Sequence, residues 1–207
     1  MRQRSRLTFD RWDFLATRVA LTMIAVATTV FTVVLPVVQW LRGQPLSWRV
    51  ETHRETTLSP TDVTPRDGVE LVWPGSLDVS IPEASAWAWS VSLLPGLAIT
   101  AIIVTVVAAL WRLLGQIQAG RPFGASSVAL LRTIGAALMT GALLLFGLTG
   151  FANGVVLEAA AELSGPPILT FEFGLPALLL TGGLVVAAMA EAFAYGTELA
   201  DDVEGLV

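Results

Sequence analysis

The chain of 207 residues has no cysteine, a single histidine (His53), and no lysine, so all twelve of its basic residues are arginine. The missing thiols exclude disulfides, thiolate metal sites, cysteine nucleophiles and thiol redox switching, and one imidazole excludes two-histidine metal or haem ligation. Charge is also scarce: 14% of residues are charged against 54% apolar, and the mean hydropathy is +0.70. A soluble domain carries close to twice that charged fraction, so the composition is that of a chain built for a bilayer. A net charge of -5 argues against direct nucleic-acid binding.

Four intervals contain no charged residue: residues 19–41, 84–111, 133–157 and 173–190, which are 23, 28, 25 and 18 residues long. A hydrocarbon core of about 30 Å takes roughly 20 helical residues. Three intervals meet this outright, and the fourth does so once Ala192, Phe193 and Tyr195 carry it past Glu191, giving a last span at 173–195. The first interval follows a basic start but is too long for a signal-peptide core and lacks a small-x-small cleavage pattern, so it is expected to remain as an anchor.

Arginine placement sets the expected orientation. Segment 1–18 holds Arg2, Arg4, Arg6, Arg11 and Arg18, and segment 112–132 holds Arg112, Arg121 and Arg132 with no acid. The opposite side has only Arg42, Arg49, Arg54 and Arg66, diluted by seven acids in loop 42–83, while segment 158–172 has no arginine. With eight against four, both termini are expected on the cytoplasmic side. Trp12 and Trp111 then fall near the inner interface, and Trp40, Trp87 and Trp89 near the outer one.

Loop 42–83 holds five of the eleven prolines. Stretches 48–56, 69–73 and 77–81 alternate in part, are rich in β-branched residues and are separated by turn dipeptides, which predicts a small extracytoplasmic β-meander. Forty-two residues bury too little to fold alone, so the strands are expected to pack on the outer helix ends or on a partner. The loop is then either a lid on the bundle or a binding cap. His53 stands alone without a second imidazole at metalloprotease spacing, and no histidine lies in a span to serve as a base for an intramembrane serine.

Within the spans, Gly147, Gly150 and Gly154, together with Gly141, offer a close-approach face for a neighbouring helix, either in the same bundle or in a homodimer. No span carries a charge at its middle, which lowers the case for ion-coupled transport. Gly120 and Pro122 should end the second span's helix and Ser126 or Ser127 should cap the next, making a cytoplasmic helical hairpin whose turn Phe123 closes against Ile117 or Leu131. On a helix continuing from the fourth span into the acidic segment 196–207, which bears no base, Glu191, Tyr195, Glu198 and Asp202 share one face. That acidic end either docks on the hairpin or stays solvated. For Glu191, at the membrane edge, pairing with Arg112, Arg121 or Arg132 is expected.

These residues carry a resemblance. Gly120-Arg121-Pro122-Phe123 followed by Leu131-Arg132-Thr133-Ile134-Gly135, and the end from Ala190-Glu191-Ala192-Phe193 through Gly196, Leu199 and Asp202 to Glu204-Gly205-Leu206-Val207, are similar to motifs of the bacterial membrane family called domain of unknown function 2975, particularly its actinobacterial members. The resemblance covers essentially the chain from the first span to the last residue. Gly124 and Ser127 depart from the family's usual Ser or Thr and Asn. The resemblance implies a non-enzymatic four-span protein, often encoded beside a Cro/C1-type helix-turn-helix regulator, with Gly120, Pro122, Phe123, Arg132, Glu191, Gly196 and Asp202 matching the pattern and none catalytic.

The sequence thus predicts an all-α membrane protein, a four-transmembrane-helix bundle with a small β-rich extracytoplasmic loop between the first two helices, and no cofactor or metal. The leading reading is an interaction protein whose hairpin and tail dock a soluble helix-turn-helix regulator. An immunity or envelope-stress protein binding a peptide, toxin or lipid through the outer loop, and an accessory subunit of a transporter, are the alternatives.

Overall fold

The structure, a computed structural model, describes residues 11–51, 63–65, 67, 70–72, 76–119, 124–163 and 172–204. The chain is mostly helical. Helix α1 (Arg11–Thr29) continues through a π-helical turn (Val30–Val34) into α2 (Leu35–Leu41). Strands β1 (Leu46–Glu51), β2 (Val63–Pro65), β3 (Glu70–Val72) and β4 (Ser76–Ile81) follow, then α3 (Ala86–Gln118), α4 (Ala125–Ala160), β5 (Ala161–Leu163) and α5 (Gly174–Glu204).

Four helical stretches, Trp12–Leu41, Ala86–Gln118, Ala125–Ala160 and Gly174–Gly196, are long and apolar enough to cross a membrane. Most helices outrun the charge-free intervals, because a helix needs hydrocarbon only over its middle and tolerates charge at ends that reach the headgroups. At 1.5 Å per residue the 33 residues of α3 extend about 50 Å, well beyond the hydrocarbon thickness. Large apolar side chains stand exposed on every span, among them Met23, Phe31, Val104, Leu143, Leu178 and Val185, as lipid-facing surfaces require.

The main interfaces run between chain neighbours: α3 on α4, α4 on α5, and a thinner one between α1 and α3. Glycines allow the close approaches. A Cβ built on Gly141 would come within 2.5 Å of the Ile102 side chain, and one on Gly183 would lie 3.0 Å from the Gly135 carbonyl oxygen. Gly150 is buried in α4, but Gly147 has nothing within 4 Å of a built Cβ, so the packing role expected of it is not used within this chain.

The α1–α3 contact rests on a local irregularity. Pro36 has no N–H, so it cannot donate to the Thr32 carbonyl four residues earlier, and its ring crowds that carbonyl. The ladder responds with a π turn, in which Leu35 N donates to Val30 O. Gly96 of α3 seats against the Thr32 carbonyl, where a side chain of any size would collide. The Thr32 hydroxyl donates to Thr28 O at 2.8 Å, and the Thr100 hydroxyl, 3.0 Å away, can then donate to it.

The loop between the first two spans is β-rich, but it is not a meander. Strand order is β1-β4-β3, with the last strand central, and β2 leaves this sheet to pair with β5 beyond α4. Both pairings with β4 are antiparallel, with Trp48 opposite Val79 and Arg49 opposite Asp78. Alternation sorts the faces. Leu46, Val50, Val79 and Ile81 turn inward and join Ala88, Trp89, Val156, Leu157 and Ala160 in one buried cluster, so the sheet does pack on the helix ends. Trp48 donates its indole N–H to Asn153 Oδ1 at 2.8 Å, and Trp40 stacks on Trp89 with ring centroids 6.2 Å apart. The segments around His53 and Thr52 lie outside the described residues.

On the outward face, Arg49 Nε donates to Asp78 Oδ1 at 2.6 Å and Nη2 to Oδ2 at 3.2 Å. This bidentate pairing holds the Asp78 carboxyl below its ordinary value of 3.8.

Two predictions follow from this packing. Gly96→Leu should lower thermal stability in detergent by the equivalent of about 1–3 kcal/mol, whereas Gly147→Leu, at an open site, should change it little; equal damage from both would contradict the assigned interfaces. A carboxyl with a depressed folded-state pKa contributes stability that is present above the ordinary value and is lost as pH falls through the lower one. The difference in melting temperature between the wild type and Asp78→Asn should therefore persist down to about pH 3.8 and vanish on further acidification.

Candidate interaction surface at the hairpin end

The helices alternate in direction, so the start of α1, the end of α3, the start of α4 and the later part of α5 gather at one end, opposite the sheet. Polar side chains mark each junction. Arg18 of α1 donates from Nη2 to Gln118 Oε1 of α3 at 3.0 Å, and its guanidinium lies 5.7 Å from the Trp111 ring centroid. Ser127 of α4 donates to Gln116 Oε1 of α3 at 2.6 Å. Arg132 of α4 donates from Nη2 to both carboxylate oxygens of Glu191 of α5, at 3.2 and 3.1 Å.

The α3–α4 turn differs from the sequence reading in its cap. Helix α4 begins at Ala125, and the Gly124 carbonyl accepts from Ser127 N at 2.9 Å and Val128 N at 3.2 Å. Neither Ser126 nor Ser127 occupies the cap position. The Ser127 hydroxyl is fully buried and is spent on Gln116 across the hairpin instead. Gly120, Arg121, Pro122 and Phe123, with the turn that they form, lie outside the described residues.

Of the three arginines considered for Glu191, Arg132 reaches it, and Arg121 lies outside the described residues. The Arg132 and Glu191 side chains are 58% and 60% exposed, and in water such a bridge contributes about 0–1 kcal/mol. It joins α4 and α5 near the hairpin end, within the last two turns of the apolar span. Arg112 lies elsewhere, lining a cleft between α1 and α3. Tyr195 is exposed, and Gly196 has nothing within 4 Å of a built Cβ, so among the described residues of this face it is Glu191 that touches α4. Positions Glu198 and Asp202 continue the same helix; their side chains lie outside the described residues.

Arg18, Gln116 and Gln118 were not among the residues that the sequence marked out. Arg18 registered only as one charge among several, and the two glutamines carry no charge signal. Their partners are 100 and 11 residues away, beyond the reach of any local pattern. Among the described residues, no group of three or more His, Cys, Asp or Glu side chains is placed to hold a metal ion.

The surface therefore consists of a hairpin joined to both neighbouring helices and a helical extension of α5 that runs on to Glu204. Comparison with known proteins bears on the chain as a whole. No curated protein and no solved structure matches it at a significant level. One family model, described as Protein of unknown function (DUF2975), matches residues 75–206, which takes in β4, α3, α4 and α5 and leaves α1 outside, a narrower extent than the sequence motifs implied. With well over half of its length matched, including both motif-bearing segments around Arg132 and Glu191, the chain belongs to this family of unknown function.

Proposed function

We propose that the chain is a non-enzymatic, four-span protein of the bacterial cytoplasmic membrane that docks a small soluble helix-turn-helix regulator at its hairpin end. The observation that carries this reading is the length of α5. The candidate span ends at Gly196, but the helix runs on to Glu204, so Glu198, Asp201, Asp202 and Glu204 are displayed on a helix and not on a loose tail.

A helix-turn-helix domain reads DNA with a basic face that meets phosphates. An acidic helix presented at a membrane surface is complementary to that face, and occupying it keeps the regulator from DNA by charge competition. The excess of arginine in segments 1–18 and 112–132 supports a cytoplasmic location for this end, where such a regulator resides. The Arg132–Glu191 bridge supports the reading too, because it sets the direction in which the extension points. The outer sheet, whose apolar face is buried against α3 and α4, acts as a lid that closes the opposite end of the bundle.

Purification of the full chain in mild detergent should recover a helix-turn-helix protein, and deletion of residues 197–207 should release it. Arg132→Ala and Glu191→Ala should each weaken recovery, with the double variant no worse than the more damaging single one, as expected of two residues acting through one contact. Raised salt should weaken the complex. Undiminished recovery by the deleted chain, or additive effects of the two substitutions, would contradict the proposal.

A further inference from the structure

Helices α1 and α3 are pinned together at Thr32 and Gly96, and toward the hairpin end they enclose a cleft of about 430 Å³. Ala25, Val104, Val107, Ala108, Trp111 and Arg112 line it, so its walls are apolar except at one end. Arg18 belongs to that same end: it lies two helical turns before Ala25 on α1 and covers the ring of Trp111. Two guanidiniums and an indole thus stand where an apolar cleft opens toward the headgroup region.

Neither arginine has a carboxylate partner among the described residues. Arg18 spends Nη2 on Gln118, and its Nε is shielded from solvent and hydrogen-bonded to nothing. Arg112 is exposed beside the cleft. Two unneutralised cations at the edge of hydrocarbon call for an anion, and the adjoining apolar trough calls for a chain. A free phosphate would leave the trough unused, and a zwitterionic head would bring a third cation to the pair.

We propose that the α1–α3 cleft binds an anionic glycerophospholipid, with an acyl chain along Ala25, Val104, Val107 and Ala108 and its phosphate at Arg18 and Arg112. The lipid fills the thin part of the α1 interface and ties the first helix to the rest of the bundle. This site is separate from the α4–α5 surface and stands whether or not a regulator docks there.

The test uses the delipidated full chain in detergent, titrated with phosphatidylglycerol or phosphatidylcholine and read by native mass spectrometry. Phosphatidylglycerol should bind about tenfold more tightly or better, the scale of a charge-assisted contact. Arg18→Gln combined with Arg112→Gln should remove that preference, while Arg18→Lys with Arg112→Lys, which keeps the charge, should retain most of it. Arg42→Gln, at the opposite end of the helix pair, should change nothing. Ala108→Phe, which fills the trough and leaves both guanidiniums in place, should weaken phosphatidylglycerol binding. Equal binding of the two lipids would overturn the site. An unaltered preference in the double glutamine variant, or displacement of the lipid by inorganic phosphate with no effect of Ala108→Phe, would do so as well.

Discussion

Lipid offers neither hydrogen bonds nor a hydrophobic force between one helix and the next, and every part of this structure answers to that constraint. Backbone groups are satisfied within long helices, and buried or lipid-facing hydroxyls turn back on their own helix, as Thr29, Thr105, Thr133 and Thr140 do to the carbonyls four residues earlier. What holds one helix to another must then be close contact. Gly96 against Thr32, Gly141 against Ile102 and Gly135 against Gly183 supply it at successive interfaces. Contact is thinner between α1 and α3, where a π turn meets Gly96 and an apolar cleft opens toward the hairpin end.

The two ends of the bundle solve different problems. At one, the sheet buries its apolar face on α3 and α4 and uses Trp48 to satisfy Asn153, a fully buried amide. That end is closed. At the other, one ion pair and two hydrogen-bonded glutamines join neighbouring helices, and α5 runs past the apolar span. A closed end and an open, charged end give the molecule a polarity that matches the bias of its arginines.

Much of this was legible in the sequence, for identifiable reasons. Long intervals without charge marked the four helices, since length and apolarity are local properties. Glu191 stood out because a carboxylate at a membrane edge needs a partner, although spacing alone left Arg112, Arg121 and Arg132 open; packing of α5 on α4 is what brings Arg132 to it. Strand segments near β1, β3 and β4 were visible in their alternation, but their order was not, because pairing β1 with β4 and β2 with β5 depends on contacts far apart in the chain. The partner of Asn153 has no local signal either, because Trp48 lies 105 positions away. Gly147 fits a small-residue pattern yet faces open space, whereas Gly96 breaks no obvious pattern and is indispensable to its interface.

The account depends most on the alternating direction of the helices, which puts the hairpin and the end of α5 on one side of the membrane and the sheet on the other. Because the chain has no cysteine, single cysteines can report this without background. Ser126→Cys at the hairpin, Thr197→Cys on α5 and Ser47→Cys on β1 would be exposed to a membrane-impermeant maleimide in intact and in permeabilised cells. The account predicts that positions 126 and 197 are protected until permeabilisation while position 47 reacts at once; labelling of 126 and 197 from opposite sides would contradict it.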